Sequence, residues 1–589
     1  MSRIPVPLIA VLSILFSPSL SGQAPAGGVP TPRPGITTGA QAPGMPPPRD
    51  NRAATRSGTA LLRGRVVSTQ TGMPLRRAQV MAFAAEGQTR RVTTTDGEGR
   101  YEFAELPAGR FTVSATKAGY VSLQYGQRRP FESGTPVTIS DGETVERIDF
   151  SLPNGSVIIV RVTDDFGEPL AGAQVQVQRF QYGPDGQRRL MMSPGSGGFL
   201  SATDDRGEVR LYGLMPGEFV VSATVRSIGL PGASNPNDNN EGFSPTFYPG
   251  TISTAEAQAI SVAVGEEQSV QFSMVASRMS RIMGTVINSE GRPAIGAQLV
   301  VVTRQGGGMM SYGGGTVAAD GTFAISGIAP GEHSIDVRPQ MRPGEAGGGE
   351  FASVPVVVSG SNITGLRIVT SKATTVSGRV VFEGTASREG GPTPVRVMAM
   401  PADPSNRPVF FSLSGDPLSN GALDDNGNFQ LGVASGRVFF TLTTPPSWVV
   451  KSVTLDGNDI TDEPLELTGK PSVSGLVIRM TDKLTQISGR VSDGRGQMLR
   501  DYVVVIQPAD AKEPIVASRW IRTARPDTNG RFETRGMRPG RYVATAIETI
   551  EQGRQFAPEF QEQLRRGAHE FSVREGESIA LALTLTPDL

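Results

Sequence analysis

The chain of 589 residues contains no cysteine. That absence removes disulfides, thiolate nucleophiles and thiolate metal sites together. Histidine occurs only at His333 and His569, which leaves little material for imidazole acid–base or zinc chemistry. Neither sign of charge is in excess: 56 basic side chains stand against 56 acidic ones. A neutral chain lacks the basic face needed to displace phosphate counterions, so no nucleic-acid partner is expected. Aromatic residues make up only 6% of the chain, with two tryptophans. Long hydrophobic runs are missing too, and after the first twenty residues nothing approaches the roughly 20 apolar residues of a membrane span.

Glycine and proline are abundant instead. Their 72 and 45 copies form about a fifth of the chain, against roughly 12% in average proteins, and predict many turns. At about 100–200 residues per domain, the length predicts three to six domains.

The N-terminus has the pattern of an export signal. Arg3 precedes an apolar stretch from Leu8 to Phe16, and small residues follow at Ser19, Ser21 and Gly22. The expectation is a signal peptide over 1–22, cleaved after Ser21 or Gly22, and a secreted mature chain with no transmembrane span. Residues 23–50 hold eight prolines and five glycines. Too poor in apolar side chains to offset ordering entropy, residues 23–58 read as a Pro/Gly-rich disordered linker.

The remainder repeats. Hydrophobic strands turn at Pro-Gly or Ser-Gly corners, in LPAGRFTVSA from Leu106, LMPGEFVVSA from Leu214, IAPGEHSIDV from Ile328, VASGRVFFTL from Val433 and MRPGRYVATA from Met537. The corner glycines Gly109, Gly217, Gly331, Gly436 and Gly540 are spaced by 108, 114, 105 and 104 residues. That period is a domain, not a solenoid repeat of 20–50 residues. Before each corner lies a polar turn, such as TDGEGRYEF from Thr95 or DDNGNFQL from Asp424, whose Asp-Gly and Asn-Gly pairs favour tight hairpins. Each unit opens on a strand with a small residue at its centre, as in LLRGRVV from Leu61 and TVSGRVV from Thr375, and most units continue through a loop such as GMPLRRAQV. About seven alternating strands per roughly 110 residues predict tandem β-sandwiches, with domains at 59–153, 154–277, 278–372, 373–484 and 485–589. The second carries a long insertion and the fourth diverges. The best candidate for a helix is Pro558 to Arg565.

The order G-x-V, G-x-P-L-x-G-A-x-V, T-D-x-x-G-x-Y/F and L-P-x-G-x-Y/F resembles the carboxypeptidase regulatory-like domain. The first unit carries it most fully, with Gly64, Pro74, Ala78, Val80, Asp96, Tyr101, Pro107, Gly109, Phe111, Gly119 and Tyr120. The resemblance implies an all-β fold of seven-stranded, transthyretin-like Greek-key sandwiches, related to collagen-adhesin B-type repeats and to starch-binding-like domains. Adhesin repeats of that type often carry Lys–Asn isopeptide bonds. Here only six lysines exist and none lies within an opening strand, so no such crosslink is expected.

Chemistry has few places to reside. His333-Ser-Ile-Asp336 has a ligand-like spacing, yet His333 falls where other units have Phe111, Phe219 and Tyr542. It reads as a substitute for a core aromatic, and His569 as a solvated loop residue. The acidic turns at Asp204-Asp205, Asp424-Asp425 and Asp527 offer oxygens to calcium, which wants six to eight of them; the plain hairpin turn is the simpler reading. No catalytic residue, cofactor or metal is therefore expected, and the chain reads as a non-enzyme.

Carbohydrate is the ligand class suggested by the starch-binding resemblance, because sugars stack on exposed aromatic faces. The candidates are Phe247 and Tyr248 in the insertion of the second unit, beside Phe243, Asn235, Asn237 and Asn239, then Trp448 in the fourth and Trp520 in the fifth. The resulting expectation is a monomeric scaffold or adhesion-type protein, periplasmic or on the cell surface, whose loops bind a polysaccharide or an envelope protein. A dedicated carbohydrate-binding protein, and an accessory module of a separate peptidase or outer-membrane receptor, are the alternatives.

Overall fold

A computed structural model describes residues 58–84, 90–193, 201–225, 241–303, 310–339, 350–386, 395–402, 420–443, 447–510 and 520–587. The segment expected to be an export signal, almost all of the expected proline-rich linker, and Asn235, Asn237 and Asn239 lie outside these residues. Alternation dictates the strands. In Arg100–Leu106 the residues Tyr101, Phe103 and Leu106 are buried and Arg100, Glu102, Ala104 and Glu105 are exposed, so one face meets a core and the other water. Five such cores follow one another along the chain, centred on Leu62 and Phe111, on Ile158 and Phe219, on Ile282 and Ile335, on Val376 and Phe440, and on Ile487 and Tyr542. Each lies between two sheets, and the five are called sandwiches 1 to 5 below.

Sandwich 1 gives the plan. One sheet places the opening strand Ala60–Ser68 between Arg100–Leu106, antiparallel, and the closing segments Thr144–Val145 and Phe150–Leu152, parallel. The other orders Arg90–Thr94, Gln79–Ala84, Gly109–Thr116 and Leu123–Gln124, with Val137–Ile139 also on Gly109–Thr116. In every sandwich the opening strand pairs in parallel with the closing one. Ser578–Thr584, near the end of the chain, pairs in this way with Gln486–Ser492 and completes sandwich 5.

The central glycine of the opening strand has a steric cause. A Cβ on Gly64, Gly284 or Gly378 would lie about 2 Å from the carbonyl oxygen of Ile148, Leu366 or Leu476 in the closing strand. Just before those residues the closing strand takes a left-handed residue, Arg147, Gly365 or Gly475, and in sandwiches 3 and 4 the register slips there. The extra residue bulges towards the opening strand and only glycine leaves room. Sandwich 2 has Val160 at this place, and its parallel ladder runs unbroken from Val157 to Thr163. Sandwich 5 keeps Gly489 with an unbroken ladder; a Cβ there would still lie 2.1 Å from the Leu581 carbonyl oxygen and 2.8 Å from the Phe532 ring, so the close approach does not need a register slip.

Polar turn residues serve the backbone. Asp96 Oδ1 accepts the N–H groups of Glu98 and Arg100, Asp204 those of Arg206 and Glu208, Asp424 those of Asn426 and Asn428, and Asp527 those of Asn529 and Arg531. Thr95 Oγ1 accepts from Ala78 N–H and donates to the Leu75 carbonyl, and Thr203 does the same with Ala173 and Leu170. The paired Thr-Asp thus ties the hairpin to the preceding loop.

The period predicts separate beads, but residues 53–589 group as one unit. Sandwich 5 reaches back to sandwiches 1 and 2. Its insertion contains the helix Pro558–Arg565, as the sequence predicts, which covers Val503, Val505 and Ile547 on the outer face of the sheet. Tyr182 of sandwich 2 packs on that same cluster.

Candidate functional site

The four candidate sugar-binding aromatics are placed by packing. Trp448 is 1% exposed inside the core of sandwich 4, with its ring edge-on to Phe382 at 4.9 Å. Phe247 is 5% exposed and packs with Leu190 and Val220. Neither presents a face on which a sugar could stack, because burying the ring in the core is worth more than leaving it in a loop. Tyr248 is half-buried, with its ring edge-on to Phe272 at 6.3 Å, and Phe243 is half-buried on the same core. Trp520 is half-buried between sandwiches: its Nε1 donates to Asp462 Oδ1 at 2.9 Å, and Arg538 sits over its ring while pairing with Asp462. The structure brings these four rings to different sites.

His333 takes the buried position of Phe111, Phe219 and Tyr542. Its Nε2 donates to the Ala329 carbonyl at 2.7 Å and Nδ1 accepts from Thr303 Oγ1 at 2.8 Å, the tautomer that satisfies both. Burial pushes the imidazole below its ordinary pKa, more than the contact with Ala329 raises it. With both nitrogens engaged, neither is free for a metal. The ring borders a cavity of about 40 Å³ shared with Thr224, Phe243, Met279 and Ile328, room for a water and not for a sugar ring. His569 is not in a loop: it opens the strand His569–Val573, paired with Ala544, and is exposed.

Asp96, Asp204, Asp424 and Asp527 each commit Oδ1 to backbone N–H groups. The Asp96 carboxyl is held below the ordinary range first by the Arg100 N–H, Asp424 first by the Asn428 side chain, and Asp320 first by the Thr322 hydroxyl. Among the described residues no cluster of three or more His, Asp or Glu is spaced to hold a metal ion. No described helix is long and apolar enough to cross a membrane.

The densest polar constellation is where sandwiches 1, 2 and 5 meet. It is built on the segment from Gln127 to Glu132 of sandwich 1. Phe131, at φ 57°, turns its ring against Phe219 and the core of sandwich 2, where Arg179 lies 3.5 Å above it. The next residue points the other way. Glu132 Oε1 lies 2.5 Å from Arg525 Nη1 of sandwich 5 and accepts from Thr549 Oγ1 at 3.1 Å. Glu132 and Arg525 side chains are 4% and 5% exposed. Around them Arg128 pairs with Asp501 at 3.0 Å, Arg129 with Glu548 at 2.5 Å, and Arg179 with Glu551. Asp501 also accepts from Arg525 Nη2 at 2.6 Å, and Arg110 Nη1 donates to the Glu533 carbonyl at 2.7 Å. Four arginines face four carboxylates. Sequence reasoning missed this junction. Its only local signals are QRRPFES from Gln127 and the helix insertion of the last unit, and neither names its partner.

These features define a tandem series of β-sandwiches. Residues 62–153, sandwich 1, match the family model of the carboxypeptidase regulatory-like domain. Comparison with curated proteins gives no match. Among solved structures the chain is similar to the Bacillus anthracis TIE protein at 15% identity and TM-score 0.15, over 54% of this chain and 51% of that one. It is also similar to a streptococcal ancillary pilin at 14% identity and TM-score 0.20, over 53% and 98% of the two chains. GBS52, the minor pilin of Streptococcus agalactiae, is 15% identical with TM-score 0.20, over 37% and 95%. The match thus spans about half the length of the first of these.

Proposed function

We propose that the protein is a non-enzymatic, exported scaffold of adhesion type in the cell envelope. The observation that carries this reading is the junction just described: five sandwiches, each with its own core, are fastened into one body by contacts between sequence-distant units. Side chains that could do chemistry are used for construction. The turn aspartates hold N–H groups, His333 fills a core position, and the junction carboxylates face arginines. Such a body acts by geometry, holding loop surfaces at fixed separations so that several weak contacts sum to avidity. Export is supported by the apolar segment Leu8 to Phe16 followed by Ser21 and Gly22.

The test is cell fractionation with N-terminal sequencing, followed by a binding screen of the secreted chain against insoluble polysaccharides and isolated envelopes. The expected results are a mature N-terminus at Gly22 or Gln23, saturable binding to envelope material and no turnover of what is bound. A chain retained in the cytosol with its first residues intact, or hydrolysis of the bound material, overturns the reading.

A further inference from the structure

We propose that the Gln127–Glu132 segment and the last sandwich's insertion form a releasable latch, and that its release turns a closed circuit of sandwiches into an open array without unfolding any of them.

The circuit is visible in the contacts. Sandwich 1 meets 2 through Phe131 and Phe219. Sandwich 2 meets 3 around Thr224, Met279 and Ile328. Sandwich 4 meets 5 through Asp462 with Trp520 and Arg538, and through Lys451 with Glu575 at 3.1 Å. The chain itself joins 3 to 4. Sandwich 5 then returns to 1 and 2 across more than 360 residues of sequence, as in the Arg128–Asp501 and Arg129–Glu548 pairs.

Three features make the return contact separable. Each sandwich keeps a complete core, so parting sandwich 5 from 1 and 2 breaks no ladder of the strand plan. Phe131 belongs to the core of sandwich 2 and can stay there, which leaves Tyr182 as the principal apolar side chain to be withdrawn. The rest is ionic or hydrogen-bonded, including the Gln552 N–H to the Phe131 carbonyl at 3.3 Å and Arg110 to the Glu533 carbonyl, and polar interfaces between domains of one chain are those that open. Arg128–Asp501 and Arg129–Glu548 each have one side chain mostly exposed and the other partly so, and salt screens such pairs. The buried part is imperfectly satisfied: Arg179 Nη1, Arg525 Nε and Arg525 Nη1 make no hydrogen bond among the described residues, the last although it lies 2.5 Å from Glu132 Oε1. Their hydration returns when the latch opens, which offsets the loss of the Glu132–Arg525 pair. The latch also has a built-in lever. The side chains of Phe131 and Glu132 are adjacent yet serve different neighbours, so the contact with sandwich 5 can be lost while the ring stays with sandwich 2.

The complete absence of cysteine makes the test direct. Cysteines replace the exposed Thr138 of sandwich 1 and Glu559 of sandwich 5 in the full chain, both carry spin labels, and the distance distribution between them is measured by pulsed EPR. The expected result is one narrow, short distance at low ionic strength, unchanged on dilution. High salt should broaden it, and Glu132→Arg, which sets like charges face to face, should abolish most of the short-distance population. Glu548→Lys with Glu551→Lys changes only half-exposed or exposed side chains and should give the same loss if Glu132→Arg fails to fold. The proposal is overturned if the labels are far apart in the unmodified latch at low salt. It is equally overturned if folded variants keep the short distance, or if that distance appears only as concentration rises and therefore joins two copies.

Discussion

Gly378 faces the carbonyl oxygen of Leu476 so closely that a Cβ would stand 2.0 Å from it. The closing strand bulges at Ser474-Gly475 to make this approach, and the ladder resumes with Gly378 opposite Leu476. Gly378→Ala must push the bulge outward or split the parallel pair in sandwich 4. A loss of about 2–4 kcal/mol is expected, the range of overpacked cores and strained backbone. Calorimetry of the full chain should show one early transition. Val160→Gly in sandwich 2, where Val160 is fully buried and no bulge approaches, should also cost about 2–4 kcal/mol, from lost packing and strand entropy in place of strain.

The two tryptophans divide the chain's fluorescence between neighbouring places, Trp448 in the core of sandwich 4 and Trp520 at its seam with sandwich 5. Trp448→Ala should destabilise sandwich 4 by about 3–5 kcal/mol, as loss of a buried large aromatic does, and Trp448→Phe by less. Trp520→Phe removes the hydrogen bond to Asp462 at a cost of about 1 kcal/mol. It should leave both sandwiches folded while separating their unfolding transitions. Denaturant titration followed by fluorescence and by circular dichroism distinguishes these outcomes: coincident curves for Trp520→Phe would refute the coupling.

His333 gives sandwich 3 its own acid sensitivity. Burial lowers its folded pKa below the ordinary 6.5, so the unfolded chain binds the proton first. Stability is therefore full above about pH 6.5 and falls as acidification proceeds from there to the lower folded pKa, after which the loss levels off. His333→Phe, which restores the residue type of sandwiches 1 and 2, should abolish this slope. Thermal unfolding of the full chain between pH 7.5 and 5 measures it.

A second acid limb belongs to the turns. Asp96, Asp320 and Asp424 have folded pKa values below 3.8, so their contribution is complete above that value and disappears as pH falls through the lower folded one. Asp96→Ala and Asp424→Ala should each lower stability at pH 7 and flatten its decline below about pH 4. Unchanged acid unfolding curves would show that these carboxylates do not hold the turns.

The repeat and the sandwich plan were readable because each is local. Corner glycines, Asp-Gly turns and alternating strands act within a few residues, and the helix Pro558–Arg565 announces itself by composition. His333 was readable by register, since it stands where Phe111 and Phe219 stand. The burial of Phe247 and Trp448 was not readable because a loop position in sequence does not say how far a ring can reach: Trp448 lies just before the strand Val449–Leu455 and still enters the core. The latch was out of reach for a deeper reason. Glu132 and Arg525 are ordinary surface residue types, and their burial depends on the angles at every intervening junction, which no local pattern encodes.

Return of the last sandwich to the first two also sets a parity that an open array does not have. Tandem domains ordinarily gain or lose a member by recombination at little structural cost, since each touches only its neighbours. Here removing or duplicating sandwich 3 would carry Arg525 to the wrong place to meet Glu132. The number and order of the units between sandwiches 1 and 5 are therefore constrained by closure.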